Sequence, residues 1–197
     1  EIWQAYANRY WPAKYFIDVQ GKIRARHFGE GSYGPSELLL QALLGEQEGQ
    51  GFYQLMQQLA RERLIIAAQC AGMAEAAVLE AIAYTKEREA FGKPLIGFQH
   101  NRFQLAELKA EVLSIKTTVD YCIQQYIDGN NDPATASMAK LIAADRGVAV
   151  VDRCVQFFGG YGYMMEYPIA RAYAAARVNK IYGGTSEIMK EIISRSL

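Results

Sequence analysis

The sequence predicts a mainly α-helical protein: an antiparallel bundle of the four-helix type, preceded by a small β-hairpin and a helix. From about residue 52 onward, apolar side chains recur every three or four positions, which is the spacing of a helix buried on one face. The joints between these periodic segments are short and rich in Gly, Pro, Asn and Asp. Residues 1–44 instead contain two short strand-like runs.

The first predicted element is the hairpin. The runs Ala13 to Asp18 and Ile23 to Phe28 have strand-like composition, and Gly21 between them suits a tight turn. A turn-rich stretch follows. Ser36 is then expected to cap a short helix over residues 37–44, because a serine side chain can accept a hydrogen bond from the first helical turn.

Two long helices are predicted next. The first covers about residues 52–86, with a break near Ala60 left open, and it ends before the breakers Gly92, Pro94 and Gly97. The second starts near Gln99. It carries a seam of apolar residues at steps of three and four, formed by Leu105, Leu108, Val112, Ile115, Val119, Cys122 and Tyr126.

A third helix is predicted to begin at Pro133, capped by Asp132, and to stop at Gly159 and Gly160. Its apolar stripe is expected to be Leu141, Ala144, Val148, Val151, Val155 and Phe158. A shorter helix over 169–178 and a last one capped by Thr185 complete the bundle. Such stripes are typical of core packing and do not indicate a cofactor site.

Composition excludes several classes of protein. Lys plus Arg and Asp plus Glu are 21 each, and 51% of residues are hydrophobic, which argues against disorder and gives no support for nucleic-acid binding. No run approaches the ~18 apolar residues of a membrane helix, so we expect no span. The three cysteines form no CxxC pair, which favours a reducing, cytoplasmic compartment. His27 and His100 have no second ligand nearby, so we expect no metal site.

Six strings carry a resemblance to a known family. They are GEQEGQGF at 45–52, RERLIIA at 61–67, EREAFGKPLIGFQ at 87–99, ASMAK at 136–140, QFFGGYGYMMEYPIAR at 156–171 and IYGGTSEIMKEI at 181–192. Because of these six strings, residues 45–197 resemble the C-terminal domain of the flavin-dependent acyl-CoA dehydrogenases. The family's N-terminal helical domain and middle β-domain are not represented, so the resemblance implies an incomplete enzyme.

Residues 1–44 resemble a different family. The string RYWPAKYFIDVQGKIRARHFGEGSYGPSE is similar to the C-terminal half of a thioredoxin-like domain of thiol–disulfide interchange proteins, in which Pro12 would be the proline before the strand. The redox CxxC of that family is absent. The chain therefore resembles a join of two partial domains, 1–44 and 45–197.

The dehydrogenase resemblance implies FAD-dependent α,β-dehydrogenation of an acyl-CoA thioester. A carboxylate takes the α-proton, and the β-hydrogen leaves as hydride to the flavin. In many members the base stands just before the GT of an IYxGT motif, where this chain has Gly183. In long-chain and isovaleryl-type members it lies in an ERL motif, here Glu62, Arg63 and Leu64. We therefore expect Glu62 to be the base. The Gly183 N–H is expected to donate to the thioester carbonyl.

These two residues also have simpler interpretations. Glu62 lies between two arginines and could be a solvated helix residue, and Gly183 could be a plain loop glycine before a helix. The resemblance also implies FAD contacts at Arg88, Phe91, Gln99, Gln156, Gly159, Gly160, Thr185 and Glu187. An Arg suits a pyrophosphate, and glycines let the backbone approach phosphate closely.

The segment containing Gln156 holds the cofactor of a neighbouring subunit in the family, which implies a homodimer or homotetramer. The expected partners are an acyl-CoA and an acceptor of the electron-transfer flavoprotein type. Two alternatives stay open: a non-catalytic oligomerising helical module, and a fragment of a thioredoxin-like/dehydrogenase fusion. A thiol–disulfide function is the weakest hypothesis, because the CxxC is absent.

Overall fold

The chain is described from a computed structural model. It forms two compact units, residues 1–57 and residues 58–197, and each is described by itself. The structure describes residues 13–17, 22–28, 33–44, 50–130 and 132–197.

The first unit contains the predicted hairpin. Strands β1 (Ala13–Ile17) and β2 (Ile23–Phe28) pair antiparallel, with Ala13 opposite Phe28 and an irregular register between Phe16 and Ile17. The Phe16 side chain is buried. The strand bounds agree with the prediction, whereas the turn glycine at 21 and the boundary at 44/45 lie outside the described residues.

The helix after the hairpin begins earlier than the sequence predicts. Helix α1 covers Tyr33–Leu44, so Ser36 lies inside the helix and the prediction that it is the N-cap is wrong. Pro35 stands in the first turn, where its missing N–H would have no partner within the helix in any case.

Helix α2 covers Gln50–Glu87 without interruption, so the break considered near Ala60 is absent. Ala60 is a strong helix former and is itself buried. The helix ends at a feature that the sequence did not predict: a small hairpin of β3 (Glu89–Ala90) and β4 (Lys93–Pro94). Phe91 and Gly92 both have positive φ, as a type I′ turn requires.

A short 3₁₀ helix (Leu95–Gly97) leads into α3 (Gln99–Ile127), α4 (Pro133–Phe158) and a second 3₁₀ helix (Gly159–Tyr163). Helices α5 (Pro168–Val178) and α6 (Ser186–Ser194) follow. The predicted caps are confirmed. Asp132 accepts from the N–H groups of Ala134 and Thr135, and Thr185 accepts from Ile188.

Helix α4 lies at the centre of the bundle and packs against α3, α5, α6 and the second 3₁₀ helix. The α3 seam is confirmed, since its first six residues are buried and Tyr126 packs against the core. The single stripe predicted for α4 is too narrow, because a helix surrounded by neighbours is buried on several faces. Its buried residues are Ala134, Ala136, Ser137, Ala139, Lys140, Ala143, Ala144, Gly147, Val150, Val151, Cys154 and Phe158.

The segment Gln58–Glu87 of α2 is long and apolar enough to cross a membrane by length and composition, with a mean hydropathy of 1.5 over 18 of its residues. This is weak evidence, because a core helix passes the same test. Its buried side chains, including Leu64, Ala67 and Val78, belong to the core of the bundle. The expected absence of a membrane span stays a prediction.

Truncation of the α3 seam should destabilise the helical unit. Leu108 is 0% exposed, whereas Leu113 on the same helix is 67% exposed. We expect Leu108→Ala to lower the free energy of unfolding by about 2–5 kcal/mol, through lost burial and the cavity left behind. Leu113→Ala should change it by less than about 0.5 kcal/mol. Urea unfolding followed by circular dichroism measures both, and equal losses would contradict this assignment of the core.

Candidate functional site

The residues singled out from the sequence fall into two groups on the second unit. One group surrounds the loop between α5 and α6, and the other lies where α2 and α4 end. Lys140 contacts the first group and Gln156 belongs to the second. Lys140 and Gln156 are sixteen positions apart on α4, which corresponds to about 24 Å along the helix axis.

In the first group, Gly183 lies against α2. Its φ is +66°, and a Cβ built on it would stand 2.4 Å from Cδ1 of Ile66. Ile66 is one helical turn beyond Glu62, and residues four apart share a helix face. The fold therefore brings the Gly183 backbone to the face of α2 that carries Glu62. A glycine is required at this close approach and positive φ.

The Glu62 side chain is exposed. Its neighbour Arg63 is buried, and its Nη1 stands 3.5 Å from Oγ of Ser137 on α4. The Nε of Arg63 is buried without a hydrogen-bond partner among the described residues. Burial lowers the pKa of Arg63, and the nearby Glu62 carboxylate opposes this shift.

Two side chains of α4 hold the loop itself. The Lys140 ammonium is fully buried and donates to the Gly184 carbonyl at 2.7 Å. Asp145, five residues further along α4, accepts from the Ser186 hydroxyl at 2.8 Å and pairs with Lys180 at 3.1 Å. Within the described residues, the N–H of Gly183 donates to no other group.

Thr185 and Glu187 stand at the start of α6. Thr185 caps the helix, as predicted, and Glu187 lies in its first turn. Hydrogen bonds from its own backbone N–H and from the Thr185 hydroxyl lower the pKa of Glu187. Both residues lie in the short segment that contains Gly183.

The second group lines a cavity of about 600 Å³. Four of the predicted FAD contacts lie there together: Arg88, Gln156, Gly159 and Gly160. The Arg88 guanidinium carbon stands 5.9 Å from the centroid of the Tyr161 ring. No atom would obstruct a Cβ at Gly159 or Gly160, so their backbone is open to approach. A charged guanidinium beside open glycine backbone suits a phosphate-containing ligand.

Phe91 and Gln99 do not line this cavity. Phe91 is 96% exposed at the tip of the β3–β4 hairpin, with its ring edge-on to Phe98 at 6.3 Å. Gln99 begins α3 and is exposed. A second cavity of about 300 Å³ adjoins the first at Leu95, Gln156 and Phe157.

Sequence reasoning missed Lys140 and Asp145 as loop contacts. Both lie in the helical pattern of α4, where a charged residue is ordinarily read as part of the solvated face. The ASMAK string does include Lys140, but the string alone does not show that its ammonium reaches a loop 44 residues later. Among the described residues, no group of three or more His, Cys, Asp or Glu side chains could hold a metal.

Comparison with known proteins agrees with this arrangement of motifs. Residues 49–197 match the family model described as "Acyl-CoA dehydrogenase, C-terminal domain". The chain belongs to the acyl-CoA dehydrogenase family. The long-chain specific acyl-CoA dehydrogenase of Sus scrofa mitochondria is 45% identical over 175 residues, which cover 89% of this chain and 40% of that protein. The short-chain specific enzyme of Megasphaera elsdenii is 39% identical and also matches over 40% of its length.

Solved structures of acyl-CoA dehydrogenases share the fold. That of Geobacillus kaustophilus is 41% identical with a TM-score of 0.74, and the match covers 77% of this chain and 40% of that one. The Megasphaera elsdenii butyryl-CoA dehydrogenase has a TM-score of 0.73 at 38% identity, covering 77% and 39%. The chain thus spans about 40% of the length of these relatives, and the predicted helical C-terminal domain is confirmed.

These comparisons do not show the thioredoxin-like resemblance of residues 1–44. The match to the Sus scrofa enzyme is longer than residues 45–197, so it extends upstream of Gly45. The division at 44/45 stays a prediction.

The loop that closes the cavity should tolerate alanine unequally. A Cβ on Gly162 would stand 2.5 Å from the Val155 carbonyl oxygen, whereas one on Gly160 would meet nothing within 4 Å. We expect Gly162→Ala to cost about 1–3 kcal/mol of unfolding free energy, because the backbone must shift. Gly160→Ala should change stability by less than about 0.5 kcal/mol. Thermal unfolding compares the two, and equal melting temperatures would contradict the packing described.

Proposed function

We propose that the chain is the C-terminal part of an acyl-CoA dehydrogenase that removes the α-proton of an acyl-CoA thioester with Glu62. The observation that supports this most strongly is the approach of Gly183 to α2 one turn from Glu62. A glutamate at position 183 would place its Cβ 2.4 Å from Cδ1 of Ile66, which would have to turn aside, and it would have to adopt a φ of +66°. A glycine at position 183 is therefore consistent with a catalytic base on α2 instead of in the loop.

In the proposed reaction, each residue has a distinct task. The Glu62 carboxylate accepts the α-proton. The N–H of Gly183 donates to the thioester carbonyl, which makes that proton more acidic by stabilising the negative charge that develops on the oxygen. The Glu62 side chain is exposed, so a substrate can reach its carboxylate.

The chain's residues fit FAD in two places. Thr185 and Glu187 begin α6, whose positive dipole end suits an electron-rich ring or a phosphate. Arg88, Gln156 and the open backbone of Gly159 suit the dinucleotide. When bound, the flavin supplies the acceptor for the β-hydrogen. The two places lie about 24 Å apart along α4. This separation supports the proposal that they bind cofactors of different subunits in a homodimer or homotetramer.

The proposed partners follow from the same family. We include an acyl-CoA substrate and an acceptor of the electron-transfer flavoprotein type. A structure of the electron transferring flavoprotein of Acidaminococcus fermentans is 36% identical, with a TM-score of 0.73 over 77% of this chain and 40% of that one. All three cysteines are free and buried, which supports a reducing compartment such as the cytoplasm.

A second candidate is a non-catalytic module that oligomerises through its helices. The outer surface of the bundle favours it, because Ile65 and Leu79 on α2 and Leu113 on α3 are all more than half exposed. Leu79 and Leu113 line one apolar cavity with Val78, Ile82 and Val112, and a contiguous apolar surface of this kind suits contact with other protein. The two candidates differ in whether acyl-CoA is oxidised.

Cofactor binding tests the cavity at the end of α4. We expect the chain to quench FAD fluorescence on titration, and Arg88→Met to weaken this binding at least tenfold, because it removes the phosphate partner. Arg177→Met is the matched control, since Arg177 is an exposed arginine on α5 outside the cavity. Equal affinities for the two variants would contradict the assignment of Arg88.

Proton abstraction is tested in a chimera, in which residues 49–197 replace the matching segment of the Megasphaera elsdenii short-chain enzyme. The replaced segment includes both candidate base positions, so no base of the host remains at either. Glu62→Gln keeps the shape but removes the proton acceptor. We expect acyl-CoA-dependent bleaching of the flavin band to slow by about 10²–10⁴-fold, the usual size of a general-base contribution.

The control for this experiment is Glu75→Gln, on the same helix and paired with Lys116 instead of facing the loop. It should leave bleaching unchanged. Normal bleaching by the Glu62 variant, with flavin still bound, would sink the assignment of Glu62 as the base.

A further inference from the structure

Lys140 has an unusual environment. Its side chain is fully buried, whereas every other lysine whose side chain the structure describes is at least partly exposed. Its Nζ donates to the Gly184 carbonyl at 2.7 Å. The nearest opposite charges are Asp145 and Glu187, and neither carboxylate lies within hydrogen-bonding distance of Nζ among the described contacts.

Such an ammonium does not help the core. Burial lowers the pKa of Lys140, and the positive Arg63 nearby lowers it further, while Cys70, Asp145 and Glu187 raise it. Replacing a buried charged group by an apolar one of similar volume is often neutral or stabilising. Among the described contacts, the bond to Gly184 is the hydrogen bond that this buried ammonium makes.

That bond anchors a segment that contains two consecutive glycines. Gly183 and Gly184 both have positive φ and no side chains, so their backbone has more freedom than that of any other residue type. Peptide planarity ties the Gly184 carbonyl to the N–H of Thr185, so fixing one orients the other. Asp145 provides a second anchor two residues along, through the Ser186 hydroxyl.

We propose that Lys140 is a positioning residue, which anchors the backbone of residues 183–185 to α4 through the Gly184 carbonyl and so fixes its place beside α2. It touches neither substrate nor cofactor. This inference rests on the proposed function, because the segment it holds contains the Gly183 N–H that would donate to the thioester. Lys140 thereby sets the distance between that donor and Glu62.

The test uses the full chain labelled with ¹⁵N. Lys140→Met removes the ammonium but keeps an unbranched apolar chain in the buried space. We expect backbone order parameters at Gly183, Gly184 and Thr185 to fall from about 0.85 to below about 0.6. Amides of α3 and α4 should keep their wild-type exchange rates, and the melting temperature should stay the same or rise. Lys109→Met, at an exposed lysine of α3, is the matched control and should change none of these.

A second variant distinguishes loss of loop positioning from loss of the whole fold. Lys140→Gln retains a donor on a shorter side chain and should give loop order parameters between those of wild type and Lys140→Met. Unchanged loop order in Lys140→Met would overturn the positioning role. Unfolding of both variants would also overturn it, because Lys140 would then support the whole bundle and not one loop.

Kinetics in the chimera separate this inference from the proposed function. There, Lys140→Met should lower kcat at least tenfold with a change in KM of less than about twofold, because the misplaced donor acts on the transition state. If a chimera that retains Lys140 oxidises no acyl-CoA, that result would contradict the proposed function. The relaxation measurement needs no substrate, so it still decides whether Lys140 positions the loop.

Discussion

The close approach of α4 to α2 is the packing on which the other features of the helical unit depend. A Cβ on Gly147 of α4 would stand only 3.4 Å from the carbonyl oxygen of Cys70 on α2. Small residues allow two helices to come this near, and those that are fully buried on the two helices include Ala67, Ala74, Ala81, Ala139, Ala143 and Ala144. Since α4 also packs against α3, α5 and α6, its position fixes the loops that carry the candidate site.

Polar side chains in this core are concentrated near one loop. Arg63, Ser137, Lys140, Asn179 and Ser186 are all buried, and all lie around residues 179–186 or on the helices beneath them. Burying polar groups is costly unless each is hydrogen-bonded. Most of these contacts end on the loop or on neighbouring side chains, whereas the Nε of Arg63 has no partner among the described residues.

The sequence predicted most of the helices, because helix periodicity and end signals are local. The α3 seam and the caps at Asp132 and Thr185 are examples. The sequence did not predict features that depend on contacts between distant parts of the chain. The broad burial of α4 depends on how many helices surround it, and the β3–β4 turn places Phe91 at a positive φ that its residue type disfavours.

In the candidate site too, local motifs predicted the residues but not the contacts between residues distant in sequence. Family motifs named Gly183 and Arg88, but the closeness of Gly183 to Ile66 and the bond from Lys140 to Gly184 join residues more than 40 positions apart. Such long-range contacts leave no periodic trace in one sequence. Phe91 and Gln99 were named by motif as well, yet the cavity around Arg88 does not include them.

Helix α4 also limits how this chain can vary in length. It joins the loop end, at Lys140, to the cavity end, at Gln156, through continuous helix. Inserting or deleting one residue between them would rotate one end by about 100° relative to the other and shift it by about 1.5 Å. Either change would turn Lys140 away from Gly184 or Gln156 away from the cavity. A gap between these positions in a related chain would therefore mark a chain that has lost one of the two ends.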